Sequence, residues 1–143
     1  MTIVFDMDNT LIDEFGSAVR PGMTDLLEAL RGEGHVLVLW TNSRRQRAMD
    51  ILRDLDLRRH FSKCICREDY DPEERDIPKD IRKIGGDILI DDDPALVAHV
   101  ESTGRRGILI TPYRKGRTMD RGELTSIHGQ INRRKKPFFG LFP

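Results

Sequence analysis

The sequence predicts an open α/β fold built on a parallel sheet. Short apolar runs alternate with stretches of helical period, and no internal repeat interrupts them. One run, Val36-Leu37-Val38-Leu39-Trp40, is continuous, the form of a strand covered on both faces. Strands alternating with helices close most readily into parallel strands joined by right-handed crossovers.

Each element follows from its own pattern. Ile3-Val4-Phe5 opens a first strand. Met23, Leu26, Leu27 and Leu30 fall at i, i+3, i+4 and i+7, one face of a helix that Pro21 can start and Gly32 and Gly34 can stop. Val36–Trp40 is the second strand. From Ser43 a basic helix carries Met49, Leu52 and Leu55 inward, and Phe61–Arg67 reads as a third strand. Asp69–Asp76 is polar and turn-like. Ile77, Ile81 and Ile84 mark a short helix ended by Gly85-Gly86. Ile88-Leu89-Ile90 is a fourth strand, Pro94–Ser102 a helix and Gly107–Ile110 a fifth strand. Asp120 and Glu123 have capping-box spacing ahead of a last helix that uses Leu124, Ile127 and Ile131. Residues 1–132 thus read as one domain, with a basic and aromatic tail over 133–143.

In open parallel sheets ligands bind beyond the carboxyl ends of the strands. Polar residues stand at those ends. After the first run come Asp6 and Asp8, in Asp6-Met7-Asp8-Asn9-Thr10. Two carboxylates so close stay ionised together when a cation lies between them, and hard oxygen ligands suit Mg²⁺. A solvated loop is the other reading of this motif taken alone. After the second run, Thr41-Asn42-Ser43 offers a hydroxyl and the N–H groups opening a helix, an anion site for a phosphoryl group, or simply an N-cap. Lys79 is a cation ahead of the fourth strand. Asp91-Asp92-Asp93-Pro94 closes that strand with three carboxylates, costly unless they are solvated or bound to metal.

In this order the motifs resemble the haloacid dehalogenase (HAD) superfamily of phosphatases over residues 3–111. The motifs are Asp6-Met7-Asp8-Asn9-Thr10-Leu11, Thr41, Lys79 within Ile77-Pro78-Lys79-Asp80-Ile81, and Asp91-Asp92. Cys66-Arg67-Glu68, Lys79-Asp80-Ile81 and Ile90-Asp91-Asp92-Asp93-Pro94 are similar to the NLI-interacting-factor branch, which includes phosphatases of the RNA polymerase II carboxy-terminal domain. The resemblance implies a three-layer, Rossmann-like core with five parallel strands in the order 5-4-1-2-3. It also implies that Asp6 is the nucleophile and Asp8 the acid and base, with Thr41, Asn42 and Lys79 on the phosphate. Mg²⁺ would be held by Asp6, the main-chain carbonyl of Asp8, and Asp91 and Asp92. Members often carry a cap domain, but here Ile12–Arg20 and Glu68–Pro78 are too short to fold as one. An open crevice suits a phosphate on a protein or a nucleic-acid end. A small phosphate ester, or a binding module without catalysis, is the alternative.

Composition narrows the classes further. The chain has 143 residues, 38% of them apolar, and no run long enough for a membrane span or a secretory leader, so a cytoplasmic protein is expected. Cys64 and Cys66 suit neither a disulfide nor a zinc site and read as small buried hydrophobes. Trp40 reads as a core residue, with a place on the crevice wall as the other reading. His35, His60, His99 and His128 share no spacing and read as surface or structural residues. Lys+Arg and Asp+Glu are 24 each, yet 22 of the acids lie in residues 1–103 and ten of the bases in 104–143. The basic end is either a counterweight to an acidic body or a face for an anionic partner. Phe138-Phe139-Gly140-Leu141-Phe142 could dock on another protein or a second copy, or fold back on an apolar groove.

Overall fold

Alternate residues of the apolar runs divide between two cores, and this division builds the layers. The computed structural model describes residues 1–133. Five parallel strands, β1 (Thr2–Phe5), β2 (Val36–Trp40), β3 (Lys63–Ile65), β4 (Ile88–Asp91) and β5 (Arg106–Leu109), form one sheet in the order β3-β2-β1-β4-β5. This is the expected order read from the other edge. Ile3, Phe5, Leu37, Leu39, Ile88 and Ile90 point to one face, where α1 (Met23–Gly32), α2 (Arg45–Asp54) and α5 (Gly122–Asn132) cover them. Val4, Val38, Trp40 and Leu89 point to the other, against α4 (Pro94–Ser102) and a 3₁₀ turn at Ile81–Ile84. With the core strands buried on both faces, the two layers exclude water from the whole sheet interior.

Gly86 lets the second layer close. A Cβ there would lie 2.9 Å from Ile81 Cβ and 3.0 Å from both the Ile81 carbonyl oxygen and Val4 Cγ2. Only a hydrogen fits in that space.

Four expectations are corrected. β3 is shorter than Phe61–Arg67: Phe61 turns in to meet Phe5 edge-to-face at 6.3 Å, and Cys66 gives its N–H to Asp69 Oδ2 at 2.8 Å, starting a short helix, α3 (Arg67–Tyr70), that takes the last residue of the expected strand and the first two of the stretch read as turn. Ile77 lies outside the Ile81–Ile84 turn and is 43% exposed. α2 starts at Arg45 rather than Ser43, because Arg44 is extended, at a φ of −67° and a ψ of 150°. The Asp120–Glu123 pair is not a capping box. Asp120 accepts from Gly122 N–H at 2.8 Å, while Glu123 reaches the end of β5 to accept from Thr111 N–H and Oγ1.

Cys66 is buried and Cys64 half-buried, both free, and burial pushes the Cys66 thiol up to about 11, which keeps it an inert apolar group. Trp40 is buried against Tyr70 at 5.4 Å, a core position. No helix among the described residues is long and apolar enough to cross a membrane. The tail beyond Arg133, with its basic run and three phenylalanines, lies outside the described residues.

Candidate active site

The site forms where β1, β2 and β4 end side by side. Asp6 N–H bonds to the Ile90 carbonyl at 3.0 Å, which keeps Asp6 in register beside Asp91 one residue past the strand. Leu11 N–H and Thr10 N–H then fold back onto the Met7 carbonyl at 2.9 and 3.2 Å, closing a tight turn with Asn9 at a φ of 63°. That turn returns the Thr10 hydroxyl to Asp6 Oδ2 at 3.0 Å and to Asp92 Oδ1 at 3.2 Å. A hydroxyl has one proton, so it serves one carboxylate at a time.

Lys79 arrives from the β3–β4 crossover and is 3% exposed. Its ammonium donates to Asp6 Oδ1 at 2.8 Å and to Asp91 Oδ2 at 2.9 Å. Burial alone would lower its pKa, but the two carboxylates outweigh burial and hold it above the usual lysine value. Asp91 is raised, first by burial and then by the Asp6 charge, despite Lys79. Asp92 is pushed up to about 7 by burial, by the proton it can share with Asp6 and by repulsion from Asp6 and Asp91.

Carboxylate oxygens of Asp6, Asp91 and Asp92 lie within 4.8 Å of one another. Three carboxylates face one ammonium, so the cluster carries more negative than positive charge. A cation with hard oxygen ligands fits this donor set. The Asp8 side chain is not part of it. Arg47 holds both Asp8 oxygens, at 2.8 and 2.9 Å, and also donates to Ser43 Oγ at 3.0 Å. Any contact of Asp8 with the cation would therefore run through its main-chain carbonyl, as the resemblance has it.

Thr41 is buried at the end of β2, its hydroxyl accepting from Ser43 N–H at 3.0 Å. Here the structure departs from the anion site expected at the head of α2. The Arg45 N–H is taken by Glu68, 3.0 Å from Oε1, so an anion of the chain itself occupies that end. Asn42 is exposed. Its carbonyl accepts from Arg67 Nε at 2.7 Å, and it lines a pocket of about 350 Å³ with Arg67, Tyr70, Lys79 and His99.

The sequence profile of NLI interacting factor-like phosphatases matches residues 1–133. The chain belongs to that family. No curated protein matches it. Among solved structures, this phosphatase is similar to a haloacid dehalogenase-like hydrolase of Streptococcus pneumoniae, with a TM-score of 0.62 and 15% identity over 87% of this chain and 89% of that one. It is also similar to a HAD-superfamily hydrolase of Ehrlichia chaffeensis, with a TM-score of 0.64 and 13% identity over 91% and 95% of the two chains. At such identities the likeness shows the fold.

Two residues of the phosphatase escaped the sequence reading. Arg20, 2% exposed, donates to the main-chain oxygens of Thr10 at 2.7 Å and Asn9 at 3.0 Å and to that of Thr111, with Glu123 at 3.4 Å and its guanidinium over the Tyr113 ring. It ties the loop after β1 to the loop after β5 and so fixes the turn that presents Asp8 and Thr10. Arg47 is the other. Its one signal in sequence is the basic first turn of α2, shared by Arg44 and Arg45, which face away toward Glu74 and Asp69.

Proposed function

We propose that this phosphatase is a Mg²⁺-dependent phosphomonoesterase that works through an aspartyl-phosphate on Asp6. What carries the reading is the position of the Asp6 carboxylate. It sits between the Lys79 ammonium and the Thr10 hydroxyl, beside Asp91 and Asp92, at the open end of the sheet.

Asp6 attacks phosphorus, the bond to the leaving oxygen breaks, and the phosphoryl group rests on Asp6. Asp8 enters this step protonated on an oxygen that Arg47 releases, and gives that proton to the leaving oxygen while Arg47 keeps the other oxygen in place. In the second step Asp8 takes a proton from water, whose oxygen attacks phosphorus and returns Asp6 as a carboxylate with release of inorganic phosphate. Thr41, Asn42 and the third proton of Lys79 hold the phosphoryl oxygens as charge spreads over them. Asp6, Asp91, Asp92 and the Asp8 carbonyl would hold Mg²⁺, which when bound offsets the repulsion between an anionic nucleophile and an anionic phosphate.

The crevice favours a phosphate carried on a large molecule. Ile12 and Val19 pair across a small hairpin, and Glu68–Pro78 holds only the end of the short helix α3, so no cap domain covers the site among the described residues. Turnover of p-nitrophenyl phosphate tests the chemistry. Asp6→Asn should stay folded and inactive, and EDTA should abolish wild-type turnover; activity in either case overturns the reading.

A further inference from the structure

The loop between β1 and α1 displays a phenylalanine that the core does not use. Phe15 is 73% exposed, the most exposed large apolar side chain among the described residues. Its loop is nonetheless tightly built. Ile12 pairs with Val19, and the buried Asp13 accepts from Ser17 N–H at 2.7 Å, Ser17 Oγ at 2.5 Å and Ala18 N–H at 3.0 Å. Gly16 N–H closes on the Asp13 carbonyl at 3.1 Å. Gly16 itself, at a φ of 68°, seats the tip on α2, where any Cβ would lie 2.5 Å from Ile51 Cδ1. The ring is therefore held out into solvent by a rigid support.

A basic arm lies against this tip. Between Thr111 and Arg121 the chain carries Arg114, Lys115, Arg117 and Arg121 against the single acid Asp120, which is spent on Gly122 N–H. Lys115 N–H bonds to Glu14 Oε1 at 2.8 Å, and Arg114 lies 3.8 Å from Glu14. Tyr113 N–H bonds to the carbonyl of Asn9, next to Asp8, at 2.8 Å, so the arm is fastened to the catalytic loop. Lys115 and Arg117 are exposed and have no ion-pair partner among the described residues. Cations are thus set along a strand of chain that starts beside Asp8 and runs past an exposed aromatic ring.

We propose that Phe15 and the 111–121 arm are the seat of a single-stranded polynucleotide whose terminal phosphate enters the crevice. This rests on the phosphatase reading above and names its substrate class. An exposed ring stacks on a base of any sequence, while spaced cations follow the backbone phosphates. A phosphopeptide would draw more on main-chain hydrogen bonds, and at the tip the N–H groups of Gly16, Ser17 and Ala18 are already spent on Asp13.

The test separates binding from chemistry. Anisotropy of fluorescein-labelled decathymidylate with a 3′- or 5′-phosphate is measured in Mg²⁺ on Asp6→Asn protein, which binds without turnover and carries the other substitutions in the same background. Three phosphate contacts predict that log K falls against log salt with a slope of about −2. Phe15→Ala should weaken binding about 5- to 100-fold. Lys115→Ala with Arg117→Ala should flatten the slope to about −0.7. Tighter binding of either phosphate isomer than of the unphosphorylated oligomer supports the proposal, and equal binding of all three overturns it. A salt-independent affinity, no loss in folded Phe15→Ala, or tighter binding of an acidic phosphopeptide of equal charge overturns it. If that happens while p-nitrophenyl phosphate is still hydrolysed in an EDTA-sensitive way, the substrate assignment falls and the phosphatase reading stands.

Discussion

Replacing Lys79 with Met tests how the site is held together before any substrate arrives. The Lys79, Asp6 and Asp91 side chains are 3%, 11% and 2% exposed, and both ion pairs are shorter than 3 Å. Met fills the volume but leaves two carboxylates facing each other with no cation. Removing one partner of a buried pair costs about 3–5 kcal/mol. In a chain of this size that lowers Tm by about 10–15 °C. The cost should depend on pH in a stated direction. Burial already raises the Asp91 pKa, so at low pH Asp91 takes a proton in the variant and the repulsion is relieved. The gap to wild type should therefore be wider at pH 8 than at pH 5. Thermal melts in EDTA at both pH values measure it, and adding Mg²⁺ should recover part of the loss at pH 8. A Tm within about 2 °C of wild type at both pH values would refute the claim that Lys79 neutralises a buried carboxylate pair.

Two further outcomes are expected. Arg47→Ala should lower kcat/KM on p-nitrophenyl phosphate about 10- to 100-fold by releasing Asp8 from its place, and Arg47→Lys should recover little, because an ammonium cannot make the paired contact. An unchanged value in Arg47→Ala would reduce the pair to a surface contact. His60 is buried, neither ring nitrogen has a partner among the described residues, and burial holds its pKa below the usual histidine value. Its neutral form is the one that folds, so stability is full above about pH 6.5 and falls as pH drops through that value. Urea unfolding of wild type and His60→Phe should show a smaller acid loss in the variant, and parallel curves would contradict this.

The sheet was legible because its strands are short, apolar and regularly interleaved. Helix period placed Met23, Leu26, Leu27 and Leu30 on one buried face, and Pro94–Ser102 forms a helix with the bounds expected. The carboxylate cluster was legible for a topological reason: residues following parallel strands must emerge at one end, which brings Asp6 beside Asp91 and Asp92. What escaped depends on partners far along the chain. Nothing near Arg20 announces that its guanidinium gathers the carbonyls of Asn9, Thr10 and Thr111, and nothing near Glu68 shows that it fills the head of α2. The Asp120–Glu123 spacing misled because Glu123 finds Thr111 and Arg20, a better-placed set of donors than the N–H of Asp120. Asp8 was legible as a carboxylate but not as the partner of Arg47, since ion pairs across 39 residues leave no local pattern.

Acid quenching of wild-type enzyme during turnover of a ³²P-labelled phosphomonoester, followed by peptide mapping, tests the account most directly. Label should appear on the peptide containing Asp6, be discharged by hydroxylamine as an acyl-phosphate is, and be absent from Asp6→Asn. Steady turnover with no label on that peptide, or label carried by another residue, would contradict it.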